Sequence, residues 1–408
     1  MRPKVLALVC AVLLLAGACS DDGDGTKTAG SSQSTNPLPK GEPIKLSVMV
    51  PVDGVGAQPE ILSGAQAAVD SVNDAGGITD PAGGAKRPLE LIVCEQRATD
   101  DPEAGPLKCA KDAISAGAIA SASKYSFSES ATKEFASAGI PMVGTLGVST
   151  EDYLNPKVFP ISAGAAPSGG AGAALQAAGA KTIAFISADN PAGRYVPNFI
   201  KPVLESPADL INETYIPFDP SVDVAPFVAR VVRAGPDGVV IAQSSAVLVK
   251  LVTSLRQGGY QGKIAVAGIA PDTIEQMGSA ADGLIVVSSF EAPTTTSNET
   301  IKQFNTEMDR FADGAAKDEF SLNAWLTVHF IADQLAELPE IDAASLLEAL
   351  DAHPTVDLGA APPFEIGTGD TYLNLPNVPR ATVQYQKVES GEVVRDGDFV
   401  DLDELAKQ

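Results

Sequence analysis

The sequence predicts an α/β protein built of two doubly wound units, and three observations carry that prediction. Short apolar runs alternate with amphipathic stretches of helical spacing, first over residues 44–143 and again after residue 159. Glycine and proline interrupt the pattern between runs, as at Pro51, Gly54 and Gly76-Gly77. Even without its first residues, the 408-residue chain is longer than one core usually grows, so two cores are expected.

In order, residues 44–50 alternate and are β-branched, which predicts a strand; Ile61, Ala65, Ala68, Val69 and Val72 mark one helix face. Residues 89–94 predict the next strand, 103–115 a helix, 118–120 a strand, 128–137 a helix and 140–143 a short strand. The second series predicts helices at 169–178, 196–204, 224–233 and 246–257, with strands at 182–187, 210–216, 238–242, 263–267 and 283–287. Helices follow at 300–311, 320–338 and 343–350. A strand over 381–388, turning at Ser390-Gly391 into Val393-Val394, is expected to pack on the second unit.

The first residues address the compartment. Arg2 and Lys4 precede an apolar run over 5–15 that is short for a membrane span and reads as a secretory signal. Leu15-Ala16-Gly17-Ala18-Cys19 resembles a bacterial lipobox, which makes Cys19 the expected lipid-anchored residue after removal of residues 1–18. If cleavage is ordinary and Cys19 a bystander, the chain is still exported. Residues 19–43 read as anchor and flexible tether, rich in Ser, Thr, Gly, Asp and Pro.

Net charge is −24, and loss of Arg2 and Lys4 with the leader takes it to −26. Nucleic acid is therefore excluded as an expected partner. Outside the leader and Cys19 only Cys94 and Cys109 remain, and in an exported chain they are expected to pair. No metal is expected, because His329 and His353 are the only histidines and neither has ligand spacing to the cysteines. His329 reads as a core or surface histidine of an apolar helix, and His353, before Pro354, as a helix-end residue.

Ligands of open α/β sheets bind beyond the carboxyl ends of the strands. The loops expected there are 52–57, 121–128 and 145–149 in the first unit and 188–195, 243–245 and 270–272 in the second. Ser121, Ser123, Tyr125, Ser126, Ser128, Thr145 and Ser149 offer hydroxyls to a polar ligand. Ser128 and Ser149 also stand where helices begin, so a capping role competes with ligand contact.

The stretch Gly64-Ala65-Gln66-Ala67-Ala68-Val69-Asp70-Ser71-Val72-Asn73-Asp74-Ala75-Gly76-Gly77-Ile78, the strand at 89–94 and Ala138-Gly139-Ile140-Pro141 resemble the leucine/isoleucine/valine-binding family of type I periplasmic binding proteins. The resemblance runs from residue 44 onward. It implies two Rossmann-like lobes, 44–162 plus 292–362 and 163–291 plus 363–408, joined by crossovers at 160–164, 288–292 and 362–367. It also implies that Tyr125, Ser126 and Gly147-Val148-Ser149 hold the polar end of the ligand, and it agrees with a Cys94–Cys109 pair. Lobe closure on a hinge would present the loaded form to a membrane partner.

Two departures bear on specificity. Family members that bind amino acids usually place a carboxylate for the ligand ammonium after the strand that is here 263–267, where this chain has Gly268-Ile269-Ala270-Pro271. Asp272 is either its substitute or a helix cap. Ala192-Gly193 replaces an aromatic-glycine pair, and Tyr195 is the nearest aromatic substitute.

The resemblance thus implies a monomeric solute-binding lipoprotein on the outer face of the cytoplasmic membrane, capturing an amino acid, amide or small organic acid for an ABC permease. The alternative is a ligand sensor reporting to a membrane partner. An enzyme is not expected: the mature chain has no Gly-x-Ser-x-Gly, His-Glu-x-x-His or full P-loop motif. No cofactor is expected either. Gly170-Ala171-Gly172 lacks the third glycine of a dinucleotide fingerprint and precedes its strand.

Overall fold

The computed structural model describes residues 36–54, 56–81, 83–367 and 375–407. The leader, Cys19 and residues 20–35 lie outside the described residues.

Strand Ile44–Pro51 lies inside the first sheet, between Leu89–Gln96 and Ala120–Ala122; Met142–Val143 and Val158–Phe159 complete it, every pairing parallel. Leu46, Val48, Met49 and Val50 are all buried, so both faces of the strand are covered, as parallel sheets require. One face packs against helices Glu60–Asp74 and Glu319–Glu337, the other against Ala104–Ser115 and Glu129–Ser137. The first pair sits very close: a Cβ at Gly64 would lie 2.0 Å from the carbonyl oxygen of Ser321. Only glycine allows that approach.

The second sheet runs Glu392–Asp401, Thr382–Glu389, Ile285–Ser288, Lys263–Ala267, Gly238–Ala242, Ile183–Ala188, Leu210–Ile216. Its last five strands are parallel, and the C-terminal hairpin joins Ile285–Ser288 antiparallel, where the sequence placed the tail. Helices Ala225–Ala234, Ser245–Gln257 and Pro271–Met277 cover one face and Ala166–Ala177 the other.

Local differences from the expected elements have local causes. In place of one helix over 196–204 the chain makes Pro191–Tyr195, Pro197–Ile200 and the 3-10 turn Lys201–Val203. Prolines at 191, 197 and 202 start turns readily but interrupt a continuous helix. The expected strand over 118–120 forms at Ala120–Ala122, and helix Thr150–Leu154 and strand Val158–Phe159 were too short to show a period.

Among the described residues, the chain leaves one core and enters the other at three places. Ile161, Phe290 and Ile366 belong to the first core, whereas Ala163, Val287 and Val378 belong to the second. Arg380 ties two of these passages together: its Nη2 donates to the Ser289 carbonyl at 2.6 Å, and its guanidinium lies 5.2 and 5.5 Å from the Phe290 and Phe364 ring centres. Cys94 and Cys109 form a disulfide with Cα atoms 5.8 Å apart, fastening the edge strand to its helix. The described end of the tether stretch lies on the first unit: Asn36 Nδ2 donates to the Asp74 carbonyl, and the Gly41 N–H to Lys86.

Candidate functional site

A cleft of about 1040 Å³ opens at the carboxyl ends of both sheets and is lined by residues of both units. In each sheet the chain adds a strand on one side of an early strand and then crosses to its other side: Ile44–Pro51 lies between Leu89–Gln96 and Ala120–Ala122, and Ile183–Ala188 between Leu210–Ile216 and Gly238–Ala242, the reversal that leaves a crevice at the strand ends.

An aromatic wall dominates the first-unit side. The Tyr125 ring meets Phe127 edge-on at 5.6 Å and Phe320 at 6.2 Å, and Phe127 meets Phe218, from the second unit, at 5.8 Å. Gly56, at φ +86°, makes room: a Cβ there would stand 3.1 Å from the Phe127 ring. Burial pushes the Tyr125 phenol up to about 12, so it stays protonated and keeps a proton to donate.

The loop at 147–149 is held from behind. Buried Lys124 places its Nζ 2.9 Å from Asp152 Oδ1, which also accepts the Thr132 hydroxyl at 2.9 Å. The other oxygen, Oδ2, accepts the N–H groups of Val148 and Ser149 at 3.3 and 3.2 Å, and the Tyr153 hydroxyl donates to the Gly147 carbonyl at 2.7 Å. Two of the loop's N–H groups and one of its carbonyls are thereby occupied. The Ser149 hydroxyl accepts from the Asp152 N–H at 3.3 Å and keeps its own proton for a ligand.

The second unit contributes Ser187 and Ser244, which follow or end its central strands and line the cleft. Both Oγ atoms are buried without a hydrogen-bond partner among the described residues. A buried hydroxyl left unpaired is unfavourable, and a ligand that pairs it gains the difference. Gly193 is needed over Ser187, since a Cβ would stand 2.7 Å from its Oγ and 2.2 Å from the Ala188 carbonyl oxygen.

Glu319 brings a carboxylate to the cleft from the first unit. Its Oε1 accepts the Ser289 N–H at 2.8 Å, and burial raises its pKa, opposed by that bond and by Arg380. Its Oε2 lies where a Cβ of Gly268 would be 3.1 Å away. The strand end that lacks an acidic residue of its own is thus faced by one from another helix.

Of the residues singled out in the sequence, Tyr125, Gly147, Ser149 and Tyr195 line this cleft, with Tyr195 51% exposed at its edge. Ser126, Ser128 and Thr145 are buried and are not among the lining residues. Ser126 donates to Gln96 at 3.1 Å; Ser128 caps its helix and donates to Glu103 at 2.7 Å. Asp272 lies in the first turn of Pro271–Met277 and lines a separate depression. His329 lies elsewhere, with its Nε2 2.9 Å from Glu307 Oε2, and His353 Nδ1 is 3.1 Å from the Ile366 carbonyl. Phe127 and Ser244 fall in the expected loops 121–128 and 243–245 without having been singled out, and sequence reasoning missed Phe218, Ser187, Glu319 and Phe320. Ser187 and Ser244 stand at strand ends, the one signal that marks them.

Residues 43–373 match the profile of a family described as periplasmic binding protein. This chain belongs to the periplasmic binding protein family. No curated protein sequence matches it significantly. Solved structures similar to this periplasmic binding protein have its type I fold. A possible leucine/isoleucine/valine-binding protein from Rhodopirellula baltica SH 1 is 15% identical with a TM-score of 0.72, covering 91% of this chain and 99% of its own. A solute-binding protein of an ABC transporter from R. palustris, in complex with benzoate, is 18% identical with a TM-score of 0.70, covering 88% and 98%. The branched-chain amino acid transporter substrate-binding protein of Streptococcus pneumoniae, in complex with isoleucine, is 15% identical with a TM-score of 0.68, covering 88% and 100%.

Proposed function

We propose that this periplasmic binding protein captures a small organic molecule with an apolar or aromatic body and a polar end, and delivers it to an ABC permease. The observation that carries the reading is the cleft itself, with an aromatic wall from one unit facing unpaired hydroxyls from the other. Such a lining suits an organic solute: the rings take up its carbon skeleton and the hydroxyls orient its polar group. The benzoate and isoleucine complexes of the structural relatives fall within that class.

The two cores act as lobes, 44–162 plus 292–362 and 163–291 plus 363–408, that close over the ligand. Tyr125, Ser149, Ser187 and Ser244 are its expected polar contacts, with Tyr195 at the rim. Cys19 anchors the mature chain to the outer face of the cytoplasmic membrane. The protein does no chemistry on its cargo.

Thermal unfolding of the folded chain starting after Cys19 tests this, with a panel of branched-chain amino acids, benzoates, amides, small organic acids and sugars. A cognate ligand at about 100 times its dissociation constant stabilises the native state by about 2.7 kcal/mol. A midpoint raised by one organic class supports the reading. No shift from any class, in protein freed of bound ligand, overturns it.

A further inference from the structure

Beside the main cleft lies a second depression, of about 560 Å³, between the same two units. It shares Gly268, Ile269 and Glu319 with the cleft but opens past the start of helix Glu60–Asp74. Glu60 and Asp318 reach it from the first unit, Asp272 and Glu392 from the second, and the cation in its lining, Lys317, is already paired with Asp309 at 2.5 Å. The apolar surface between the carboxylates comes from Ile269, Ile274 and Val286.

Acidic residues at helix starts are ordinary, and that role accounts for part of this cluster. It does not account for Asp318. Its Oδ1 caps the Glu319–Glu337 helix by accepting from Phe320 and Ser321 at 3.0 and 2.9 Å, whereas Oδ2, on a side chain in a residue 4% exposed, has no partner among the described residues. Glu60 Oε2 is buried and unpaired in the same way. A carboxylate oxygen withdrawn from water without a donor is strongly unfavourable, so two of them bordering one depression mark the place of a missing donor.

From this geometry we infer that the depression is a second ligand site, taking a small organic cation whose ammonium groups bond Asp318 and Glu60 while its methylenes lie on the apolar floor. A bare metal ion does not fit: no group of three or more His, Cys, Asp or Glu among the described residues is arranged to hold one. Carboxylates spread around an apolar floor match an extended cation with donors pointing in more than one direction. Without a cation, burial and the charge of Glu60 hold the Asp318 carboxyl up at about 7, and burial together with Asp272 raises Glu60. The site is distinct from the cleft and stands without the cleft's proposed cargo.

Isothermal titration of the mature chain at pH 8 with 1,4-diaminobutane tests the inference, with 1,4-butanediol as the uncharged control and magnesium chloride as the metal control. The expected result is one diamine per chain, no binding of the diol, and at least tenfold weaker binding in both Asp318→Asn and Glu60→Gln. Asparagine retains the capping oxygen, and a melting midpoint no lower than that of the wild type in either variant shows that the fold is intact. Absent diamine binding, or binding unaltered in both variants, overturns the proposal. So does carboxylate-dependent binding of magnesium. Loss of diamine binding in Ser187→Ala/Ser244→Ala would place the amine in the main cleft and equally overturn it.

Discussion

Lys124 and Asp152 form an ion pair at 2.9 Å with both side chains closed to water, directly behind the loop that borders the ligand cleft. Asp152 also accepts from Thr132 and from the N–H groups of Val148 and Ser149, so one carboxylate holds together a helix, a strand-end lysine and the 147–149 loop. Replacing Asp152 with Ala leaves the buried ammonium without a counter-charge. Destabilisation by about 3–5 kcal/mol is expected in chemical denaturation. A loss under 1 kcal/mol would mean that the pair is not what holds this loop.

The Phe127–Phe218 contact spans the two units at one side of the cleft. Edge-on aromatic pairs are worth about 0.5–1.5 kcal/mol beyond their buried area. Phe218→Ala is therefore expected to speed ligand release by about 2–10-fold, measured by stopped-flow displacement, with little change in association. An unchanged release rate would show that this contact does not retain the ligand.

Asp318 gives stability a pH dependence of known sign. Its carboxyl ordinarily titrates at 3.8 but is held at about 7 in the folded chain, so between those values the folded state binds the extra proton. The stabilisation is fully present below about pH 4 and is lost as pH rises through 7. Compared with Asp318→Asn, the wild-type chain should lose stability steadily across that window in urea titrations. A constant difference between the two would contradict the assignment.

Most of the architecture was legible because strands covered on both faces leave unbroken apolar runs. Val48 to Val50 and Val239 to Ile241 are such cases. The proline-rich segment from Pro191 to Val203 was not, because each proline starts a helical turn while ending the previous one. Tyr125 and the 147–149 loop, which stand on strand-end loops, line the cleft. Hydroxyl type alone could not separate Ser149, which borders the cleft, from Ser128, whose hydroxyl is committed to Glu103 and its own helix. Glu319, Phe320 and Phe218 reach the cleft from distant stretches, and no local period announces which helix start will face which strand end.

The disulfide closes 15 residues between the edge strand and its helix. Chain-entropy reasoning assigns a loop of this size about 3 kcal/mol. Reduction, or replacement of both cysteines by serine, should lower unfolding free energy by about that amount while ligand affinity changes little, since the pair lies away from the cleft lining. A large loss of affinity in folded, reduced protein would contradict this separation.

The central claim is that a small organic solute is held between the two units, and calorimetric titration of the compound that most stabilises the chain tests it most directly when repeated on Ser187→Ala/Ser244→Ala. Each hydroxyl that pairs with the ligand contributes about 0.5–1.5 kcal/mol. The account predicts binding at one site per chain, weakened about 5–150-fold in the double variant with no loss of thermal stability. Undiminished affinity in a folded double variant would contradict the placement of the ligand between the two units.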